Sequence, residues 1–165
     1  MEEAVGAFDS IADHRRYLHG MHGFRAPIEA VIVAQPLPGQ LGDWRPCPIA
    51  GLLAADMRAF GDPPADDGPA PSTSFDMAGL LGQLYVLEGS TLGAQILYAR
   101  AKALGMDGTS GASHLARQAA EVANWRAFVA LLDRIEPFDF EAVAQAAEAT
   151  FRAAAASFRA VGTAA

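Results

Sequence analysis

The residue types best placed to do chemistry lie in residues 82–94, where Gly82, Gly89 and Gly93 interrupt a stretch of helix-forming residues. Glycine inside a helix costs about 1 kcal/mol relative to alanine, so several glycines in one helix need a compensating reason. At about 100° per residue the three fall close to one face, where bare backbone lets a flat body approach. Two interpretations stay open: a second helix that crosses here, or a flat bound ligand.

Arg100 favours the ligand interpretation. It follows Gly93 by about two helical turns, which places it near the glycine face and about 10 Å further along the helix axis. A guanidinium there would bind the peripheral carboxylates of a planar apolar ligand whose body lies on the glycines. The alternative for Arg100 is a solvated charge at a helix end.

The same segment resembles a known family. Residues 85–94, Tyr-Val-Leu-Glu-Gly-Ser-Thr-Leu-Gly-Ala, are similar to the distal-helix motif of bacterial heme oxygenases, especially the type found beside bacteriophytochromes. Further matches follow in the family's order: Tyr17 and Leu18 with the later Glu29, then Gly-Ala-Ser-His-Leu-Ala at 111–116 and Trp-Arg-Ala-Phe-Val-Ala-Leu-Leu-Asp at 125–133. The resemblance covers nearly the whole chain and implies an all-α heme oxygenase fold.

The resemblance also implies a reaction, namely cleavage of heme by dioxygen to biliverdin, carbon monoxide and iron, with electrons from an external reductase. It gives Gly89 and Gly93 a catalytic role, because backbone without side chains leaves room for water and dioxygen at the iron. Arg100 takes the place of a propionate anchor in this resemblance, and Tyr85 and Phe128 take places in the pocket wall. The implied heme-binding residues are Tyr85, Gly89, Ser90, Gly93, Arg100 and Phe128. The implied partners are heme or a bilin and a reductase or phytochrome-type protein.

The axial iron ligand of the family has no counterpart in this sequence. Family members hold heme iron through a neutral histidine on the first helix, well ahead of the position of Tyr17. Matching Val5 and Phe8 to the end of that helix puts Met1 or Glu2 near the ligand, and neither is of the expected kind. Two functions therefore stay open: a heme oxygenase whose ligand is replaced or encoded before Met1, and a non-enzymatic heme-binding, bilin-binding or regulatory protein that keeps the fold.

Four histidines and one cysteine are candidates for the replacement ligand. His14 and His22 lie near one helical face on the expected proximal side, whereas His19 and His114 have less in their favour. Cys47 precedes a proline, as in short Cys-Pro heme motifs whose thiolate binds iron. For each of them a surface or hydrogen-bonded role is more common than metal ligation. The metal ligand is thus unknown from the sequence.

Composition limits the function classes. The chain has 165 residues, 52% of them hydrophobic, which is enough for one core, so we expect a single domain over residues 1–165. The 12 Lys and Arg against 19 Asp and Glu give a net charge of -7, which disfavours a nucleic-acid surface. A lone cysteine excludes an internal disulfide framework and fits a reducing cytoplasm. We expect no signal peptide and no membrane span, because polar residues interrupt the apolar run at 77–97.

The helix signals predict the elements that carry these residues. Ser10 predicts the cap of a helix over residues 11–23, and Pro27 either kinks that helix or starts another over 28–34. Further helices are predicted at 49–60, 122–135 and 140–161, with a central helix over 76–104 that bends near 89–93. The proline-rich residues 61–74, with Asp62, are predicted to form a solvated linker. Glu88 lies off the glycine face, which indicates a buried hydrogen-bonding role.

Overall fold

Seven α-helices make up most of the chain that the computed structural model describes, which is residues 8–64 and 76–162. They are α1 (Ile11–Val33), α2 (Ala50–Ala59), α3 (Met77–Gly89), α4 (Thr91–Ala103), α5 (Ser113–Ala120), α6 (Val122–Leu132) and α7 (Phe140–Gly162), with a 3₁₀ turn at Gly39–Leu41. Within those residues there is no β-strand, only isolated bridges at Asp107. The predicted all-α class is confirmed.

The first helix is longer than predicted. Ser10 caps α1 as expected, but the helix passes Gly23 and Pro27 and ends only at Val33. Pro27 lacks the N–H that would bond to the Gly23 carbonyl, which weakens this turn. The buried side chains of Arg25 and Glu29 bracket the proline and are joined at 2.6 Å, and they hold the turn in place. The proline therefore lies inside one helix and does not start a second.

The predicted central helix is broken at Ser90, between α3 and α4. The Ser90 hydroxyl donates to the Leu87 carbonyl at 2.6 Å, and the Arg25 guanidinium donates to the same carbonyl at 2.7 Å. Because the Leu87 carbonyl accepts hydrogen bonds from two side chains, it is drawn away from the regular backbone hydrogen bonds of the helix. This explains the break at Ser90. This interruption lies at the N-terminal edge of residues 89–93, where the sequence predicted a bend.

Close packing against α7 accounts for one of the three glycines. A Cβ atom added at Gly82 would lie 2.6 Å from the Val143 carbonyl oxygen and 2.6 Å from the Ala146 Cβ of α7. Helix α7 also packs along α1, and the main core between these helices and α6 contains Phe24, Leu84 and Phe128. At Gly82, therefore, the crossing-helix interpretation is correct.

Helix α5 was not predicted from the sequence. The backbone N–H groups of Ser113 and His114 both donate to the Asp56 carboxylate at 3.0 Å, so the cap of α5 comes from α2. Most of the predicted linker, residues 65–74, lies outside the described residues, and residues 61–64 are not helical. None of the helices described is long and apolar enough to cross a membrane.

Candidate functional site

A cavity of about 460 Å³ opens beside the break between α3 and α4. Its wall is mostly apolar and comes from six helices, α1, α3, α4, α5, α6 and α7. The lining residues are Tyr17, Met21, Phe24, Tyr85, Val86, Gly89, Ser90, Leu92, Gly93, Ala94, Leu97, Gln118, Trp125, Phe151, Ala154 and Phe158. The size falls within the range of about 300–1,000 Å³ that is typical of ligand pockets.

Two of the glycines expose backbone to this cavity. A Cβ atom added at Gly93 would meet no other atom within 4 Å, so this position is open. At Gly89 the same atom would lie 3.4 Å from the Trp125 ring, in ordinary contact. Gly82 instead faces α7 and does not line the cavity. The predicted glycine face therefore serves helix packing at one end and the cavity at the other.

The residues assigned to the pocket by resemblance are partly brought together. Tyr85, Ser90 and the two cavity glycines line the wall.

Phe128 does not line the cavity, because α6 presents Trp125 to it. Phe128 is fully buried behind that ring, with centroids 6.2 Å apart, and packs on Trp44 at 4.7 Å.

Arg100 is also not among the lining residues. It lies on the exposed side of α4, about one helical turn beyond the lining residue Leu97. Its expected role as a propionate anchor stays a prediction.

Few polar groups face the cavity. The Gln118 side-chain amide donates to the Ser90 hydroxyl at 2.6 Å, so both side chains are already engaged. Burial raises the pKa of the Tyr17 phenol, which keeps this hydroxyl protonated near neutral pH. Sequence reasoning matched Tyr17 and Trp125 only as parts of motifs, without a place in the cavity wall, and missed Gln118. These residues come from helices distant in sequence, and no local pattern signals that they meet.

Two of the histidines are held in buried hydrogen bonds. His14 Nε2 lies 2.7 Å from the Gly111 carbonyl oxygen, which only accepts, so His14 donates from that nitrogen. His114 Nδ1 lies 2.7 Å from the Asp56 carboxylate. Burial lowers the pKa of both imidazoles, more than the carboxylate raises that of His114.

None of the four histidines is among the residues that line the cavity. His19 is paired with Asp62 at 2.6 Å, and His22 is buried. Across residues 8–64 and 76–162, no three His, Cys, Asp or Glu side chains are grouped so as to hold a metal ion.

Cys47 belongs to a different part of the structure. Its sulfur accepts a hydrogen bond from Arg117 Nε at 3.3 Å, and its backbone N–H donates to Glu88 at 2.8 Å. Burial raises the pKa of the Cys47 thiol and that of the Glu88 carboxyl group. Glu88 thus has the buried hydrogen-bonding role that its position predicted. Cys47 is not among the residues that line the cavity, so its sulfur does not face a ligand there.

Comparison with known proteins points to one class. No protein-family model matches the chain. The sequence is similar to heme oxygenase PigA of Pseudomonas aeruginosa, with 42% identity over 84 residues, which is 50% of this chain and 42% of that protein. The match thus spans less than half the length of this curated relative. The structure is similar to the NO- and CO-bound heme oxygenase from Neisseria meningitidis, with a TM-score of 0.76 and 23% identity over 96% of this chain and 81% of that one.

The chain has the heme oxygenase fold. Within this fold, the motif at residues 85–94 that carried the sequence resemblance supplies the glycine-bearing wall of the cavity. PigA, to which half of the sequence is similar, is likewise named a heme oxygenase. Gly89 and Gly93 lie in that wall, and the ligand interpretation of these two glycines stays a prediction.

Proposed function

We propose that the chain is a heme oxygenase-like protein that binds heme in the cavity beside Ser90. This proposal rests on Gly93, whose backbone lines the apolar cavity with no atom within 4 Å of the position of a Cβ. A flat ring can therefore lie against the backbone there. The similarity to PigA supplies the class of ligand. Burial of an apolar ring gains roughly 25 cal/mol per Å² of apolar surface, so the cavity favours such a ligand without specific bonds.

The side chains of the wall would bind and orient the ring and exclude water from it. Trp125 and Phe158 offer aromatic surfaces to a planar ligand, and the Tyr17 hydroxyl, kept neutral by burial, offers one donor. Heme, when bound, would supply the iron that reacts with dioxygen. Cleavage of heme to biliverdin is the activity that the relationship to heme oxygenases supports.

Binding without catalysis is the second candidate, and the composition of the wall favours it. Of the described residues that line the cavity, none is a histidine or a cysteine. Oxygen activation by heme needs one axial position held by the protein and the other open. A protein without such a ligand would be a heme-binding, bilin-binding or regulatory protein. The finer assignments belong to this proposal as well: the bacteriophytochrome-associated type, one domain over residues 1–165, a cytoplasmic location and a reductase or phytochrome-type partner.

Heme titration with two leucine variants tests the binding site. Gly93→Leu fills the open side of the cavity and should abolish heme uptake while helix content is kept. Gly51→Leu is the matched control, because Gly51 lies on the exposed side of α2 and a Cβ there would also meet nothing within 4 Å. The control should bind as the unmodified protein does. Equal binding by both variants would contradict the proposal.

Biliverdin formation with an added reductant decides between enzyme and binder. The unmodified protein is compared with His14→Ala, His22→Ala and Cys47→Ala, and the heme absorption bands are recorded for each. Turnover with a histidine-type spectrum establishes the enzyme, and the variant that loses both signals identifies the ligand. Heme binding without biliverdin establishes the binder.

A further inference from the structure

We propose that the cavity recognises the flat apolar ring of its ligand and not the iron, so that a metal-free porphyrin binds as tightly as heme. This inference rests on the proposed function and makes its ligand class broader, from heme to porphyrins with or without a metal. It follows from the chemistry of the wall, which fits a ring but offers the metal no strong donor among the described residues.

The imidazole nitrogens that stay unpartnered cannot reach the cavity. His14 Nδ1 and His114 Nε2 have no hydrogen-bond partner, but each is buried with essentially no accessible surface. An atom that faces a space wide enough for a ligand would have accessible surface. Both residues are 0% exposed, and their other ring nitrogens are bound to the Gly111 carbonyl and to Asp56. These two histidines therefore stabilise the fold beside the cavity and do not ligate metal in it.

The polar groups in the wall are weak metal donors. The Ser90 hydroxyl donates to the Leu87 carbonyl and accepts from Gln118, so it is occupied on both sides. Tyrosine ligates heme iron in some proteins, and two tyrosines line this wall. Burial raises the pKa of Tyr17 and holds that phenol in its neutral form, whereas the Tyr85 ring packs edge-on against Trp125 with centroids 5.2 Å apart and its side chain is 43% exposed. The sulfur of Met21 is a weak donor in an apolar cluster. Iron therefore adds little to the affinity of a tetrapyrrole for this cavity.

Charge leads to the same conclusion. Across the described wall there is no lysine, arginine or histidine to meet the carboxylates of a porphyrin. A buried carboxylate without a partner is costly, so the carboxylates must lie at the solvent-exposed rim. Only the ring body is then buried, and the ring bodies of heme and of metal-free protoporphyrin have almost the same apolar surface. Equal burial predicts equal affinity.

Tryptophan fluorescence provides a direct test. The chain has two tryptophans, and Trp125 lines the cavity whereas Trp44 packs behind it. In a Trp44→Phe protein, quenching reports Trp125 alone. Hemin and protoporphyrin IX are titrated separately, after circular dichroism has verified that the variant is folded. Dissociation constants within about threefold of each other are expected, because threefold is less than 1 kcal/mol.

The possible outcomes separate this inference from the proposed function. Hemin binding that is more than about threefold tighter than protoporphyrin IX binding would overturn the inference, because a larger difference requires a bond to iron. Failure of both tetrapyrroles to bind would instead overturn the proposed function. Neither hemin nor protoporphyrin IX should bind to the double variant Trp44→Phe, Gly93→Leu. Both should bind to the control double variant Trp44→Phe, Gly51→Leu.

Free imidazole gives a second measurement. Two imidazole molecules should bind to each bound hemin and change its absorption bands, because the described wall offers the iron no strong ligand. Uptake of a single imidazole would mean that the protein supplies the other ligand and would overturn the inference. Unchanged bands would mean that the protein already holds the axial positions of the iron, which contradicts the inference.

Discussion

The side-chain amide of Gln118 donates a hydrogen bond to the hydroxyl of Ser90 across 2.6 Å. This bond joins α5 to the break between α3 and α4, and the Ser90 hydroxyl in turn donates to the Leu87 carbonyl. A side chain from one helix therefore holds the turn that exposes Gly89 and Gly93 to the cavity. The position of the glycine-bearing wall depends on α5 as much as on its own sequence.

Replacement of Gln118 by glutamate should destabilise the protein more than replacement by leucine. Leucine removes one buried hydrogen bond, which costs about 1 kcal/mol. Glutamate has almost the same shape as glutamine but brings an acceptor and a buried charge to a hydroxyl that already donates elsewhere. Urea denaturation at pH 7 and pH 4 provides the measurement, and protonation of the glutamate at pH 4 should reduce the difference. A Gln118→Glu protein as stable as the unmodified one at pH 7 would show that the bond to Ser90 has no role.

Alanine at two glycines should have opposite effects on the free energy of unfolding. Gly82→Ala places a methyl group 2.6 Å from the Val143 backbone oxygen, which cannot move aside without shifting α7, so a loss of about 1–3 kcal/mol is expected. Gly93→Ala meets open space and should gain up to about 1 kcal/mol from helix propensity. Denaturant unfolding of both variants tests this contrast. Similar losses at both positions would mean that Gly93 also has a packing role.

The sequence predicts helix positions well where the signals are local. The Ser10 cap and the Asp76 cap both lie at the predicted starts, and α2 and α7 match their predicted ranges to within about one residue. The end of α1 was left open because Pro27 can lie within a helix or begin a new one, and the buried pair of Arg25 and Glu29, visible only in the structure, explains why the helix continues through it.

Long-range contacts explain what the sequence could not predict. Helix α5 has no local cap, because its first N–H groups bond to Asp56 on α2. The choice between Trp125 and Phe128 for the cavity wall depends on the rotation of α6, which its contacts with Trp44 help to set. Gly82 and Gly93 look alike in sequence, and only the position of α7 distinguishes a packing glycine from a cavity glycine.

Arg100 provides a test of the cavity rim. If the carboxylates of a bound tetrapyrrole meet this guanidinium, Arg100→Glu should weaken binding more than Arg100→Gln, because glutamate adds repulsion to the loss of an attractive pair. The effect should be modest, about threefold to tenfold in dissociation constant, since the pair is exposed to solvent. Arg58→Glu makes the same charge change on the exposed side of α2 and is the matched control. Equal affinities for all variants would place Arg100 outside the site.

Stability should fall as the pH is lowered below about 6.5, the usual pKa of histidine. Burial lowers the pKa of His14 and of His114 in the folded protein, so both stay neutral there while the unfolded chain takes up protons. The unfolded state then binds more protons than the folded state, and the free energy of unfolding decreases by up to about 1.4 kcal/mol per pH unit for each histidine. Urea denaturation between pH 8 and pH 5 measures this slope.

The control is the His14→Phe protein, which keeps an aromatic ring among Phe8, Tyr17 and Phe60 but cannot take up a proton. Its free energy of unfolding should depend less steeply on pH, although it loses the hydrogen bond to Gly111. If the free energy of unfolding of His14→Phe depended as steeply on pH as that of the unmodified protein, the pKa of His14 would be the same in the folded and unfolded states, and the prediction would be wrong.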